Sequence, residues 1–218
     1  MPNVHSRRSS QSERRQEKTE IARRKIIETA YRLFRDDGYL VTTFEKIAEE
    51  AQVPVSTVTG LYGTKFMLLD VLVKVYTRGD DSPTIITSRT WWQAMLQEPN
   101  ATEQIRAYVK TIRVIHERTV GIVEIIRRAA AADAEIAAMR KVLNDGRLED
   151  VRPVAVSLAA KGALIADISI DRARDILWTL GSADTYRALV VDLHWSAEEY
   201  EIWLSHLLIT SLLRKGFS

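Results

Sequence analysis

The 218-residue sequence contains no cysteine, and this absence excludes several kinds of site at once. Without thiols there can be no disulfide, thiolate zinc site, iron–sulfur cluster or cysteine nucleophile. A chain without cysteine suits a reducing compartment, so we expect a cytoplasmic protein. Long apolar runs are also missing, since none approaches the roughly 20 residues that a membrane-spanning helix needs. The first twenty residues are polar and basic and lack the apolar stretch of a secretory signal.

The sequence also lacks the patterns that mark common enzymes. Its four histidines are scattered, with no H-E-x-x-H spacing for a catalytic metal. No G-x-S-x-G, P-loop or dinucleotide-binding pattern occurs. We therefore predict that the chain is not an enzyme and that it holds no cofactor and no metal. A small helical enzyme whose site is assembled from distant residues is the less favoured alternative.

What the chain does contain is an ordinary globular mixture with an uneven distribution of charge. Hydrophobic residues make up 46% and charged residues 28%, and the net charge is +2. Residues 1–25 hold eight basic and three acidic side chains, which leaves +5, while residues 26–65 carry −2 and the remainder −1. A basic arm on a near-neutral body favours a polyanionic partner, most often nucleic acid. We assign residues 1–18 to a basic, disordered arm; a merely solvated tail is the alternative.

Residues 26–76 have the helix order of a helix-turn-helix. Apolar residues recur with the helical period from Ile26, and Gly38 is suited to end that helix. Thr42 and Glu45 have capping-box spacing for a second helix. The segment 52–54 then interrupts it at a proline, and a short helix over 55–61 precedes a longer apolar helix from Lys65. In this motif the short helix lies in the DNA major groove.

The residues of this stretch resemble a known family. Residues 24–69 are similar to the N-terminal DNA-binding domain of tetracycline-repressor (TetR) family regulators. The matching features are Ala30, Phe34, Gly38-Tyr39, Thr42-Thr43, Ile47-Ala48, Ala51, Val53, Thr57, Lys65 and Leu68. The resemblance implies a homodimeric, all-α transcriptional regulator. Its second domain would bind a small molecule and thereby weaken binding to DNA.

Several residues depart from the family pattern at the recognition helix. Gln52 replaces a turn glycine, Pro54 replaces a capping serine, and Thr59 replaces a tyrosine that usually contacts phosphate. The helix carries no Arg, Lys, Asn or Gln to read guanine or adenine, so we expect weak direct readout and affinity that rests on phosphates. Thr43 and Lys65 are candidates for phosphate contact. The candidate DNA-binding residues are Thr43, Gln52, Val55, Ser56, Thr57, Thr59 and Lys65.

We place the helix-turn-helix domain at residues 19–65 and an effector-binding and dimerisation domain at 66–218. In the second domain we predict a helix capped at Asn100, a separate helix over 119–132 and a kink or break near 146–150. An apolar or aromatic effector would fit the candidate pocket residues, although core packing is the alternative for each. These are Tyr76, Trp92, Met95, Tyr108, Ile112, His116, Ile126 and Trp178.

The last helix, from Ser196 to about Arg214, is apolar almost all round and therefore needs cover on more than one side. We predict that it forms a dimer interface together with the helix over 171–180. The candidate interface residues are Ile176, Leu180, Leu204, Leu208 and Leu212. The resulting prediction is a dimeric regulator, most simply a repressor, that binds a palindromic operator and is released by an effector. A ligand-independent architectural DNA-binding protein is the main alternative.

Overall fold

The structure, a computed structural model, describes residues 4–79 and 86–216, and every regular element in these ranges is helical. The predicted all-α class is confirmed. The chain divides into two compact units, Met1–Lys74 and Val75–Ser218. This division lies nine residues beyond the predicted boundary after residue 65. The next helix begins at Lys65 and its buried residues Leu68, Leu69 and Leu72 all precede the division.

The first unit contains α1 (Val4–Leu33), α2 (Phe44–Ala51), α3 (Val55–Tyr62) and the greater part of α4 (Lys65–Arg78). A π turn over Phe34–Gly38 ends α1, and Gly38 has the positive φ, 101°, that glycine tolerates. The arm predicted to be disordered over 1–18 is helical from Val4. The physical reason is that residues 4–33 contain neither glycine nor proline, so nothing interrupts the helix. Residues 1–3 of the arm lie outside the described residues.

The core of the first unit consists of apolar side chains spaced along all four helices. Its most deeply buried members are at most 4% exposed. They are Ile26, Ala30, Leu33, Phe34, Ile47, Ala48, Ala51, Val58, Leu68, Leu69 and Leu72.

The second unit is built from α5 (Thr90–Gln97), α6 (Ala101–Ala129), α7 (Ala134–Ala160), α8 (Ile170–Leu180), α9 (Ala183–Tyr186) and α10 (Ala197–Leu212). A 3₁₀ turn, Ile86–Ser88, precedes α5, and a π turn, Arg187–Asp192, follows α9. Several of these helices have an N-terminal residue whose side chain caps the helix. Asn100 caps α6 as predicted, and Ser196 with Glu199 forms the predicted capping box of α10.

The separate helix and the break predicted in this unit are wrong, whereas a kink near 146–150 stays a prediction. The separate helix over 119–132 is the second half of α6, because buried Thr119 and Ile122 continue the inner face of Ile112 and His116 without a break. The second interruption, near 146–150, is bridged by α7, which runs unbroken through Pro153. Pro153 and Glu149 are both exposed, so water can satisfy the Glu149 carbonyl that loses its helical donor.

Helix α10 lies at the centre of its own unit, and this corrects part of the predicted dimer interface. Leu204, Leu208 and Leu212 are each 0% exposed in the single chain and belong to its hydrophobic core. The side of α10 that carries these leucines packs against α6 and α8. These three leucines therefore offer no surface to a second copy. Ile176 and Leu180 are only half-buried at the edge of the same core.

Among the described helices, none combines the length and the apolar character needed to cross a membrane. The described residues also bring together no group of three or more histidine, aspartate or glutamate side chains that could hold a metal ion.

Candidate nucleic-acid interface

The N-terminus of α2 is capped by Thr43, not by Thr42. The Thr43 hydroxyl accepts the backbone N–H of Lys46 at 3.3 Å. Thr42 is buried, and its hydroxyl donates to the carbonyl of Gly38 at 2.8 Å. The capping-box assignment of Thr42 with Glu45 is therefore wrong by one residue. Exposed Thr43 stands at the positive end of the helix dipole, where the sequence predicted a phosphate contact.

The turn between α2 and α3 is made by Gln52, which adopts a left-handed conformation with φ 56° and ψ 46°. Its backbone N–H donates to the carbonyls of Ala48 and Glu49, which closes the C-terminus of α2. Such a conformation normally favours glycine, so Gln52 keeps the turn at an energetic cost. Its side chain is exposed beside α3.

Helix α3 has one anchored side and one open side. Val58 and Tyr62 are buried, and Pro54 precedes the helix without any side-chain cap. The predicted groove residues lie on the open side: Val55, Ser56 and Thr59 are exposed and Thr57 is half-buried. The Thr59 hydroxyl donates to the carbonyl of Val55 at 3.2 Å, which leaves it able to accept from a partner. The open side thus presents hydroxyl and methyl groups.

Lys65, the predicted phosphate ligand, is engaged inside the domain. Its ammonium donates to the carbonyls of Tyr39 at 2.8 Å, Leu40 at 3.1 Å and Thr42 at 3.0 Å. It also lies 4.6 Å from the centroid of the Tyr39 ring. An ammonium has three protons, and three carbonyls accept them here. A phosphate would have to displace one of these carbonyls, so the geometry points first to a role in holding the start of α4 to the loop before α2.

Two further basic residues of this unit form ion pairs on its surface. Arg32 pairs with Glu50, and Lys46 pairs with Asp37 at 2.7 Å. The hydrogen bond from Lys46 to Asp37 raises the pKa of that lysine. Helix α1 adds a series of exposed cations, namely Arg14, Arg15, Lys18, Arg23, Arg24 and Lys25. A basic helix of this kind suits a phosphate backbone.

The sequence interpretation missed Thr64. Its hydroxyl accepts the backbone N–H of Met67 at 3.1 Å and so caps α4. Thr64 is exposed at a helix N-terminus, as Thr43 is. The signal was present, since a threonine directly before an apolar helix is a common cap.

The predicted pocket residues are mostly core residues of the second unit. Trp92, Met95, Tyr108, Ile112, His116 and Ile126 are buried, while Tyr76 and Trp178 are half-buried. Trp178 lies under the Arg147 guanidinium, 4.4 Å from the ring centroid. A cleft of about 580 Å³ opens elsewhere, between α5, α6 and the end of α4. Of the eight predicted residues, Met95 lines it.

His116 has a structural role. Its Nε2 lies 3.1 Å from the carbonyl oxygen of Gly181, so Nε2 carries the proton and donates. Burial lowers the pKa of His116 to about 4, because removal from water penalises the charged imidazolium. Its Nδ1 is buried and has no hydrogen-bond partner among the described residues. The imidazole is therefore neutral near pH 7 and joins α6 to the end of α8.

Comparison with known proteins agrees with this description. Residues 26–72 match the sequence profile described as "Bacterial regulatory proteins, tetR family". That range runs from Ile26, near the end of α1, into α4. No curated protein matches the chain in sequence.

Solved structures share the fold across both units. HlyIIR, a hemolysin II transcriptional regulator, is 16% identical, covers 90% of this chain and 99% of its own, and has a TM-score of 0.61. SmeT is the repressor of the Stenotrophomonas maltophilia multidrug efflux pump SmeDEF, and its structure was solved with triclosan. In that complex SmeT is 16% identical, covers 90% of this chain and 94% of its own, and has a TM-score of 0.64. A transcriptional regulator from Saccharomonospora viridis in complex with choline is 15% identical, covers 89% and 98%, and has a TM-score of 0.63. At these identities the likeness establishes the fold.

Proposed function

The DNA-binding domain of this chain is that of the tetR family of bacterial regulatory proteins, and we propose that the chain is a homodimeric repressor released from its operator by a small effector. A tetR-family domain makes the chain a transcriptional regulator, not an enzyme. The observation that carries the proposal is the open side of α3. Val58 and Tyr62 anchor this helix, while Val55, Ser56 and Thr59 remain exposed.

Operator binding combines strong phosphate contacts with modest base reading. The exposed cations of α1 and the caps Thr43 and Thr64 supply groups for phosphates. On α3, the methyl groups of Val55 and Thr59 suit the thymine methyl, and the hydroxyls suit either base edges or phosphates. The exposed amide of Gln52 is the group beside α3 that can pair bidentately with adenine.

Dimerisation follows from the geometry of a palindromic operator. Two recognition helices must reach major-groove faces about 34–36 Å apart, or a multiple of that distance, which requires two firmly paired chains. Because Leu204, Leu208 and Leu212 are buried in the core, the proposed interface uses the exposed sides of α8 and α10. Ile202 on α10 is 65% exposed, and Ile176 and Leu180 of α8 are half-buried.

The second unit would receive the effector. Structural relatives of this fold bind different small molecules: SmeT was solved with triclosan and the Saccharomonospora viridis protein with choline. An apolar or aromatic body suits the cleft between α5 and α6, because Trp91, Met95 and Val114 line it.

Selection of bound sequences from random duplex DNA, followed by footprinting of the selected site, tests this function. We expect an inverted repeat with half-sites about one or two helical turns apart. Sequence-independent, strongly salt-sensitive coating would instead support the architectural DNA-binding protein. That second candidate is favoured by one observation, the absence of any guanidinium or amide on the exposed side of α3 itself.

A further inference from the structure

The cleft of about 580 Å³ in the second unit combines an apolar floor with an excess of positive charge. Its lining includes four basic side chains, Arg78, Arg89, Lys110 and Arg118, and one carboxylate, Glu98. The Glu98 carboxylate accepts the backbone N–H of Asn100 at 3.0 Å, so it serves the start of α6. Among the described lining residues, Arg78, Lys110 and Arg118 thus outnumber this carboxylate even when Arg89 is set aside.

Two of the cations, Lys110 and Arg118, lie on one face of α6 on either side of apolar Val114. Lys110, Val114 and Arg118 follow one another at intervals of four residues, so they lie on the same side of the helix. The Cα atoms of Lys110 and Arg118 are separated by about 12 Å along the helix axis, at 1.5 Å per residue. Trp91 and Met95 of α5 complete the apolar part of the lining.

Arg118 differs from the other three cations in the surroundings of its guanidinium group. A Cβ atom added to Gly79 would overlap the Arg118 guanidinium, so this group lies directly against the Gly79 backbone. Its Nε is buried and has no hydrogen-bond partner among the described residues. Within the described part of the chain, Arg118 and Lys110 also form no ion pair. A buried N–H of a charged group without an acceptor is unfavourable, and the charge of an anion bound beside the guanidinium would offset part of this cost.

We infer that this cleft is an effector site for a small amphipathic anion: a carboxylate on an aliphatic or aromatic body. This inference rests on the proposed function, because it gives the chemical class of the effector. The carboxylate lies at Arg118 and accepts its guanidinium N–H groups, while the apolar body packs on Trp91, Met95 and Val114. The same charge disfavours a quaternary ammonium ligand such as the choline of the Saccharomonospora viridis protein.

The test uses the purified full-length protein and three probes that share one alkyl chain: octanoate, octan-1-ol and octyltrimethylammonium. Biphenyl-4-carboxylate serves as a second, aromatic anion. Isothermal titration calorimetry at pH 7.5 measures each affinity in the absence of DNA. We expect at least one carboxylate to bind no less than tenfold more tightly than octan-1-ol, and the ammonium compound not to bind.

Two matched variants locate the site. Arg118→Gln should weaken carboxylate binding at least tenfold and leave octan-1-ol binding unchanged. Arg140→Gln removes the same charge at an exposed position of α7 and should leave both unchanged. Circular dichroism melting confirms that both variants are folded, and Lys110→Gln provides a second cleft variant if Arg118→Gln unfolds.

Equal affinity for the carboxylate, alcohol and ammonium probes would overturn the proposal, as would carboxylate binding that neither cleft variant weakens or an absence of carboxylate binding. Operator binding measured on the same preparation separates this failure from a failure of the proposed regulator function. Carboxylate binding at the cleft without release of DNA would support the site and contradict its role as an effector site.

Discussion

The Lys65 ammonium donates to the carbonyl oxygen of Tyr39 at 2.8 Å, although 26 residues separate the two in sequence. The same ammonium reaches the carbonyls of Leu40 and Thr42 and faces the Tyr39 ring. One lysine at the start of α4 therefore holds the loop from which α2 begins. Because α2 packs on α3, this contact helps to set the frame that presents the recognition helix.

Replacing Lys65 with methionine should destabilise the protein by about 1–3 kcal/mol, because carbonyls at a partly buried site lose their donor. Denaturation in urea followed by circular dichroism measures the change. Lys74→Met is the matched control: Lys74 pairs with Asp70 on an exposed helix face, and its loss should cost less than about 0.5 kcal/mol. If Lys65→Met kept full stability but lowered the salt dependence of DNA binding, phosphate contact would be the main role of this lysine.

Gln52→Gly should stabilise the protein. Gln52 has φ 56°, and the left-handed conformation costs a non-glycine residue roughly 1–2 kcal/mol. Glycine also gains freedom in the unfolded chain, so the expected net gain is about 0.5–1 kcal/mol. Urea denaturation of Gln52→Gly and of Gln52→Ala measures it, and the alanine variant should stay close to the natural protein. A glycine variant no more stable than the alanine variant would contradict the strained turn.

The recognition helix can be tested at single hydroxyl groups. Thr57→Ala and Thr59→Ala should each weaken binding at the selected operator by about 1–3 kcal/mol if they contact bases, with little effect on random DNA. Thr210→Ala, an exposed threonine on α10, is the control and should change neither. Fluorescence anisotropy on both DNAs distinguishes the outcomes. Equal losses on the two DNAs would place these hydroxyls on phosphates.

His116 should make stability depend on acid pH. Burial lowers its pKa to about 4 in the folded protein, below the usual value of 6.5. Between these pH values the unfolded chain binds more protons, so stability is complete above pH 6.5 and decreases as the pH falls toward 4. The His116 contribution to this slope is at most about 1.4 kcal/mol per pH unit.

Other groups titrate in the same range, so the measurement compares the natural protein with His116→Gln, which keeps an N–H donor for the Gly181 carbonyl. The difference in unfolding free energy between the two proteins should narrow steadily from pH 6.5 to pH 4.5. A constant difference across this interval would mean that His116 does not titrate upon unfolding.

The surface and the core of α10 should respond differently to substitution. Ile202→Glu, at a position that is 65% exposed, should yield a folded monomer in analytical ultracentrifugation and weaken operator binding. Leu208→Ala, at a position that is 0% exposed, should cost about 2–5 kcal/mol of stability because it leaves a cavity.

Val142→Glu is the control for the added charge, since Val142 is 70% exposed on a different helix, α7. It should leave the sedimentation of the protein unchanged. A dimeric Ile202→Glu variant would show that the interface lies elsewhere on the second unit.

The fold class and the helix-turn-helix were determined by local features of the sequence. Each of these features affects only the backbone a few residues away, so the sequence alone predicts it. They include the periodic apolar residues after Ile26, the proline at position 54 and the capping serine at position 196. The capping threonine of α2 was misplaced by one residue, because either Thr42 or Thr43 has suitable spacing. Only the packing of Thr42 against the Gly38 carbonyl decides between them.

Tertiary structure alone decided which apolar and charged residues were available for function. Leu208 and Ile202 lie on one apolar helix, yet Leu208 is in the core and Ile202 is exposed, because α10 packs on α6 and α8 with only part of its circumference. Lys65 resembles a phosphate ligand in sequence, but three carbonyls from a distant loop surround its ammonium. Arg118 was not singled out at all, since its importance depends on lying against Gly79, 39 residues earlier. Local patterns specify helices, whereas burial and the partners of each charge depend on contacts between residues far apart in the chain.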